Sequence, residues 1–219
     1  MKRPKARDLY AAAGKKSGSR LSSIVIHKHL LRRDPQRPVP AGADEDAARR
    51  TDSLLSRLTD REWTVLGDGE RRHGADHVVI GPGGIFLIVS RKPEGPGVRV
   101  RDGVLWLRKG HDARADRPEV AINRQVLDSA RALGREIRAR TGRGPKIHPL
   151  VVLWCEFPQA VVESRQITFV HGRDLLWWLS ARPRQLDETG RGAIVEAIKA
   201  IPSEGGWRAT HTRLPHRAA

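Results

Sequence analysis

Ala48, Thr51, Leu55 and Leu58 recur at spacings of three, four and three residues, which predicts an amphipathic helix over 44–58 with Asp44, Glu45 and Asp46 at its positive N-terminal end. The pattern then shortens to β-rich runs. Trp63 to Leu66 reads as a strand, and Asp76 to Ile80 and Ile85 to Val89 as two strands joined by the turn Gly81-Pro82-Gly83-Gly84. Val98 to Val100 and Val104 to Leu107 form a further hairpin, with Asp102-Gly103 at its turn. From Pro118 to about Arg140 the helical period returns, carried by Val120, Ile122, Val126, Leu127, Ala130, Leu133 and Ile137 and stopped by Gly142 and Gly144. Leu150 to Trp154 is a continuous apolar run, as expected of a strand covered on both faces. A strand at Ile167 to Val170 and helices over 174–179 and 187–201 complete the order. That order implies one α/β domain over 41–201, a mixed central sheet flanked by helices, without internal repeats.

Charge enters next, because the chain of 219 residues carries a formal net charge of +16. Such an excess suggests a nucleic-acid partner. Its distribution weakens that inference. Residues 1–40 hold eleven Lys and Arg against two Asp and Glu, and 202–219 hold three against one. The stretch between is left with a net charge of only +5. Residues 1–40, with Lys15-Lys16-Ser17-Gly18-Ser19 and a Pro-rich end, read as a basic disordered arm, in which Leu21 to Leu31 could form a short helix. Residues 202–219 read as a flexible basic tail. A single Cys excludes a disulfide framework and a cysteine zinc cage, and no apolar run approaches the roughly 18 residues of a membrane span. A cytoplasmic setting is expected.

Several groups have simpler readings than catalysis. His73, Asp76 and His77 could ligate a metal, but strand alternation sends Asp76 and His77 to opposite faces, so His77 is expected as a packed residue. His27-Lys28-His29 reads as solvated, and Cys155 as a core thiol. Strands flank Gly81 to Gly84 on both sides, so no helix N-terminus is there to cradle a phosphate. Of the adjacent Trp177 and Trp178, only one can face a core.

The run Asp76-His77-Val78-Val79-Ile80-Gly81-Pro82-Gly83-Gly84-Ile85-Phe86-Leu87-Ile88 resembles the NERD, or nuclease-related domain, family. Pro149 to Trp154 and Gly172-Arg173-Asp174-Leu175 are similar to the family's later elements, which extends the resemblance over about 41–201. It implies a PD-(D/E)XK nuclease, or restriction-endonuclease-like, fold. Enzymes of that fold hydrolyse phosphodiesters with Mg²⁺ held by carboxylates at adjacent strand ends, and a lysine nearby.

The resemblance places four chemical positions on this chain. The first acid is Asp76. The second acid falls on Val89, the lysine on Arg91, and the helix glutamate on Ala48. Gln125 corresponds to a glutamine that touches substrate in some relatives of the fold. Val89 offers no oxygen ligand, and Arg91 is a planar fork suited to clamping phosphate. The expectation is therefore a catalytically degenerate nuclease fold with no cofactor, binding nucleic acid, DNA in preference, through Arg91, Lys92, Arg99, Arg101, Arg108 and Lys109. Two alternatives stay open. One is an active Mg²⁺-dependent nuclease whose metal site has migrated to Asp76 with Glu45, Asp52 or Glu94. The other is a scaffold for an unspecified protein partner.

Overall fold

The computed structural model describes residues 41–58, 62–67, 75–110, 113–201 and 208–211. The basic arm, the Leu21 to Leu31 segment, His27, His29 and His73 lie outside the described residues. The elements are α1 (Ala41–Leu55), β1 (Thr64–Gly67), β2 (His77–Gly81), β3 (Gly84–Arg91), β4 (Val98–Arg101), β5 (Val104–Leu107), β6 (Arg117–Glu119), α2 (Val120–Thr141), β7 (Ile147–Leu153), β8 (Val161–Glu163), β9 (Thr168–His171), α3 (Leu175–Ser180), α4 (Glu188–Lys199) and β10 (Arg208–His211). Seven strands form the central sheet in the order β10-β1-β2-β3-β7-β9-β8, and β4-β5-β6 make a second sheet. The β3–β7 and β7–β9 pairs are parallel and the other pairs of the central sheet antiparallel, so the mixed sheet flanked by helices is present as expected.

Strand β3 lies at the centre, and its side chains are divided by alternation. Ile85, Leu87 and Val89 join the α2 and α4 side chains Ile122, Val126, Leu133 and Ile198 in one core cluster. Phe86 and Ile88 join Leu55 of α1 and Leu175, Trp178 and Leu179 of α3 in the other. Covering on both faces explains why β3 and β7 read as unbroken apolar runs. Helix α2 runs for 22 residues and ends where Gly142, at φ 70°, returns its N–H to the Arg138 carbonyl. The β4–β5 turn places Asp102 at φ 50° and Gly103 at φ 74°, the paired left-handed conformation that Asp-Gly supplies at a two-residue hairpin.

Three short strands were not predicted. Pro118, read as the start of the long helix, sits instead in β6, at the edge of the small sheet, where a missing N–H is tolerated. Strand β8 has only three residues, too few to show a period. Strand β10 is polar and falls within the segment read as a flexible tail, yet it pairs antiparallel with β1 at the sheet edge. An edge strand needs no apolar alternation to hold its backbone ladder.

Candidate functional site: the corner at Asp76 and Arg91

The start of β2, the end of β3, the N-terminal part of α1 and the first turns of α2 meet at one corner. Strand β2 begins at His77, while β3 continues to Arg91, so the Ser90 N–H lies beyond the ladder. Asp76 supplies the missing acceptor. Its backbone N–H donates to the Ile88 carbonyl at 2.8 Å and its Oδ2 accepts the Ser90 N–H at 2.5 Å. The side chain that resembles a catalytic acid is thus buried and closes the edge of a strand pair.

Val89 is fully buried in the α2-facing cluster. Arg91, two residues on, reaches across the corner. Its Nη1 donates to the Ser90 carbonyl and its Nη2 to Oε1 of Gln125, both at 2.9 Å, while Nε lies 3.5 Å from Oδ2 of Asp44. One guanidinium therefore ties β3 to α2 and α1. Lys92 repeats the connection to α1: its N–H donates to Asp44 at 3.2 Å and its Nζ to Asp46 at 2.9 Å. The hydrogen bond from Lys92 is the main reason the Asp46 carboxyl is held below the usual carboxylate range, with Arg50 adding to it against desolvation.

Behind the corner, Thr51 organises a buried polar network. Its hydroxyl donates to the Ala47 carbonyl at 3.0 Å and accepts from Ser90 Oγ at 2.8 Å and from the Trp154 indole N–H at 2.9 Å. One donor and two lone pairs are all used. Trp154 also donates its backbone N–H to the Arg91 carbonyl at 2.9 Å. Its ring lies so close to Gly172 that a Cβ there would come within 2.6 Å of the indole, which requires glycine at that position. On the solvent side Trp154 floors a groove lined by Arg49, Arg50 and Arg57 of α1 and the residues that follow it, with the Arg50 guanidinium 6.0 Å from the ring centroid.

The other acids expected here have their own surroundings. Glu45 and Glu94 are exposed, Ala48 is half-buried, and Asp52 lies 3.4 Å from Nε2 of buried His77. Among the described residues no group of three or more His, Cys, Asp and Glu side chains converges to hold a metal ion. The carboxylates at the end of β3 are each already engaged, Asp76 by the Ser90 N–H and Asp44 by Arg91 and Lys92. That donor set does not fit Mg²⁺, which needs several free oxygens in near-octahedral array.

The remaining basic residues are divided. Arg99 pairs with the buried carboxylate of Asp116 at 2.7 Å and Arg108 with Glu156 at 3.0 Å. Arg101 lies over the Trp106 ring at 5.7 Å, and Lys109 is exposed. Of the tryptophan pair, Trp178 is buried and Trp177 is 62% exposed. Half-buried Cys155 has its thiol pushed up to about 11 by burial. Sequence reasoning missed Thr51, Ser90 and Trp154 as one network, since residues 39 and 103 positions apart from Thr51 carry no local signal. It treated Asp44 and Asp46 only as helix-end charges.

None of the helices among the described residues is long and apolar enough to cross a membrane. No curated protein and no solved structure matches the chain. The family model of the nuclease-related domain matches residues 43–154, from the start of α1 to the tryptophan that closes the Thr51 network and over half of the sequence. The chain, whose matched residues include the Asp76 to Ile88 hairpin, belongs to the NERD, or nuclease-related domain, family.

Proposed function

We propose that this nuclease-related domain binds nucleic acid without hydrolysing it. The observation that carries the reading is the Arg91 bridge: a guanidinium fixed between Gln125 and Asp44 occupies the position where the resemblance expects a lysine. A guanidinium does not give up its proton at any working pH, so Arg91 cannot serve as a base. Val89 adds no oxygen beside Asp76, and Asp76 already serves the Ser90 N–H. No step that activates water follows from this set of groups.

Binding falls to cations outside the corner. Arg91, Lys92, Arg99 and Arg108 have carboxylate partners, so a phosphate must compete for each of them. Arg57 and Lys109 are exposed and have no ion pair among the described residues, and Arg49 is 70% exposed beside a distant Asp46. The groove over Trp154 combines two of these, Arg49 and Arg57, with an aromatic floor, the pairing that suits backbone phosphate and base contact.

The test is to incubate the full chain with supercoiled and linear DNA in Mg²⁺ or Mn²⁺, beside Asp76→Ala, and to measure binding by filter retention at low salt. Retention without cleavage is expected. Cleavage abolished by Asp76→Ala would overturn the non-hydrolytic reading, and absence of retention would overturn binding.

A further inference from the structure

At the end of the sheet opposite Asp76, where parallel strands β7 and β9 begin, lies a solvent-connected cavity of about 580 Å³. That volume falls in the range of sites for small organic ligands. Four elements bring cations to it: Arg131 from α2, Lys146 just before β7, Arg165 from the β8–β9 turn and Arg182 just after α3. The acid in the lining is Glu163. Its Oε1 is already taken by Arg182 at 2.9 Å and by the Trp178 indole N–H at 2.8 Å. Arg182 is further fixed by lying 4.3 Å from the Trp178 ring centroid.

Of the other three cations, two are unpaired among the described residues and the third is held only at the surface. Lys146 and Arg165 are exposed and have no ion pair among the described residues, and Arg131 has only a solvent-exposed pair with Asp128. His148, also in the lining, is held below the ordinary imidazole value by burial first, with Lys146 and Arg182 adding to it. It stays neutral at pH 7 and adds no charge. Four cations against Glu163 and the Asp128 paired with Arg131 leave a local excess of two positive charges around a space floored by Leu127, Ala130 and Ile147.

We infer that this cavity is a binding site for a small organic phosphate bearing two or more phosphate groups, such as a nucleoside diphosphate. Cations drawn from four separate elements surround the space, so a single carboxylate would satisfy only one or two of them. A diphosphate spans more, and guanidinium forks match its oxygens two at a time. The apolar floor then receives the organic part. The site is independent of the Trp154 groove and of any action on nucleic acid.

Calorimetric titration of the full chain with ADP and with inorganic pyrophosphate tests the proposal. Saturable 1:1 binding of ADP is expected, with pyrophosphate weaker by roughly tenfold because it leaves the apolar floor uncovered. Lys146→Glu with Arg165→Glu, both exposed positions, should weaken ADP by at least about tenfold, whereas Arg49→Glu with Arg57→Glu should leave it within about twofold. Absence of saturable ADP binding at low salt would overturn the site. So would ADP binding indifferent to Lys146→Glu with Arg165→Glu, or pyrophosphate binding as tightly as ADP.

Discussion

The indole N–H of Trp154 donates to the hydroxyl of Thr51 at 2.9 Å across 103 positions of sequence, and Ser90 Oγ donates to the same oxygen. A helix, the central strand and the residue after its parallel neighbour are thereby joined through one atom. Thr51→Val keeps the shape but removes both acceptor sites, leaving two largely buried donors unmatched. We expect a loss of about 1–3 kcal/mol in unfolding free energy, read as a lower urea midpoint with unchanged slope. Thr51→Ser should recover most of it. Equal losses in the two variants would mean that the methyl group, not the hydroxyl, is what matters.

Asp76 offers a second prediction, because its carboxylate serves the Ser90 N–H at 2.5 Å. A hydrogen bond to a charged group contributes about 1.5–3 kcal/mol, so Asp76→Ala should destabilise the fold by about that amount. Asp76→Asn, which retains an acceptor oxygen, should cost less. The loss should be the same in Mg²⁺ and in EDTA. A melting temperature raised by Mg²⁺ in the original chain and not in Asp76→Ala would instead assign Asp76 to a metal.

The fold was legible where its physical causes are local in sequence. The Asp76 to Val89 hairpin, the two-sided burial of β7 and the stop of α2 at Gly142 each follow from a run, a period or a turn residue. Asp76 immediately precedes β2, and Val89 and Arg91 lie at the end of its neighbour β3, places that follow from the two apolar runs and the turn between them. Partnership was not legible. Arg91 and Lys92 read as free phosphate ligands because nothing in sequence brings Asp44 and Asp46, nearly fifty positions earlier, against them. Arg99 is held by Asp116 for the same reason: the β4–β5–β6 sheet folds the chain back on itself. Counting charges measures supply, and only geometry reveals which charges are already spent on acids of the same chain.

The pH dependence of stability should have one component set by histidine. His148 and His171 are both held below the ordinary imidazole value, in each case by burial first. Lys146 and Arg182 reinforce this at His148 against Gln185 and Glu163; at His171, Arg173 reinforces it against Asp174 and a backbone bond to Cys155. Above pH 7 native and unfolded chains both hold these rings neutral, so the rings add no slope. As pH falls through about 6.5 the unfolded chain takes up protons that the native chain refuses, and stability declines. The Asp46 carboxyl, shifted in the same direction, loses its stabilisation in a separate and more acidic window, below the ordinary carboxylate value. Melting temperatures between pH 8 and 5 should fall on the acid side, and His148→Gln should flatten the fall. An unchanged profile in that variant would show that His148 titrates alike in both states.

Salt dependence separates cations that can meet phosphate from those committed within the fold. Each phosphate neutralised on duplex DNA contributes about −0.9 to the slope of log affinity against log salt concentration. Arg57, exposed in the Trp154 groove, should lower the magnitude of that slope by about 0.9 when changed to Ala, with the melting temperature unaltered. Arg99 should behave in the opposite way. Its partner Asp116 has a fully buried side chain, so Arg99→Ala leaves an uncompensated charge and should cost about 3 kcal/mol of stability while the slope stays the same. Filter binding across 50–200 mM salt, paired with denaturant unfolding of both variants, measures the two effects independently. Reversal of the pattern, with Arg99 controlling the slope and Arg57 the stability, would move the proposed nucleic-acid surface from the groove on α1 to the hairpin of β4 and β5.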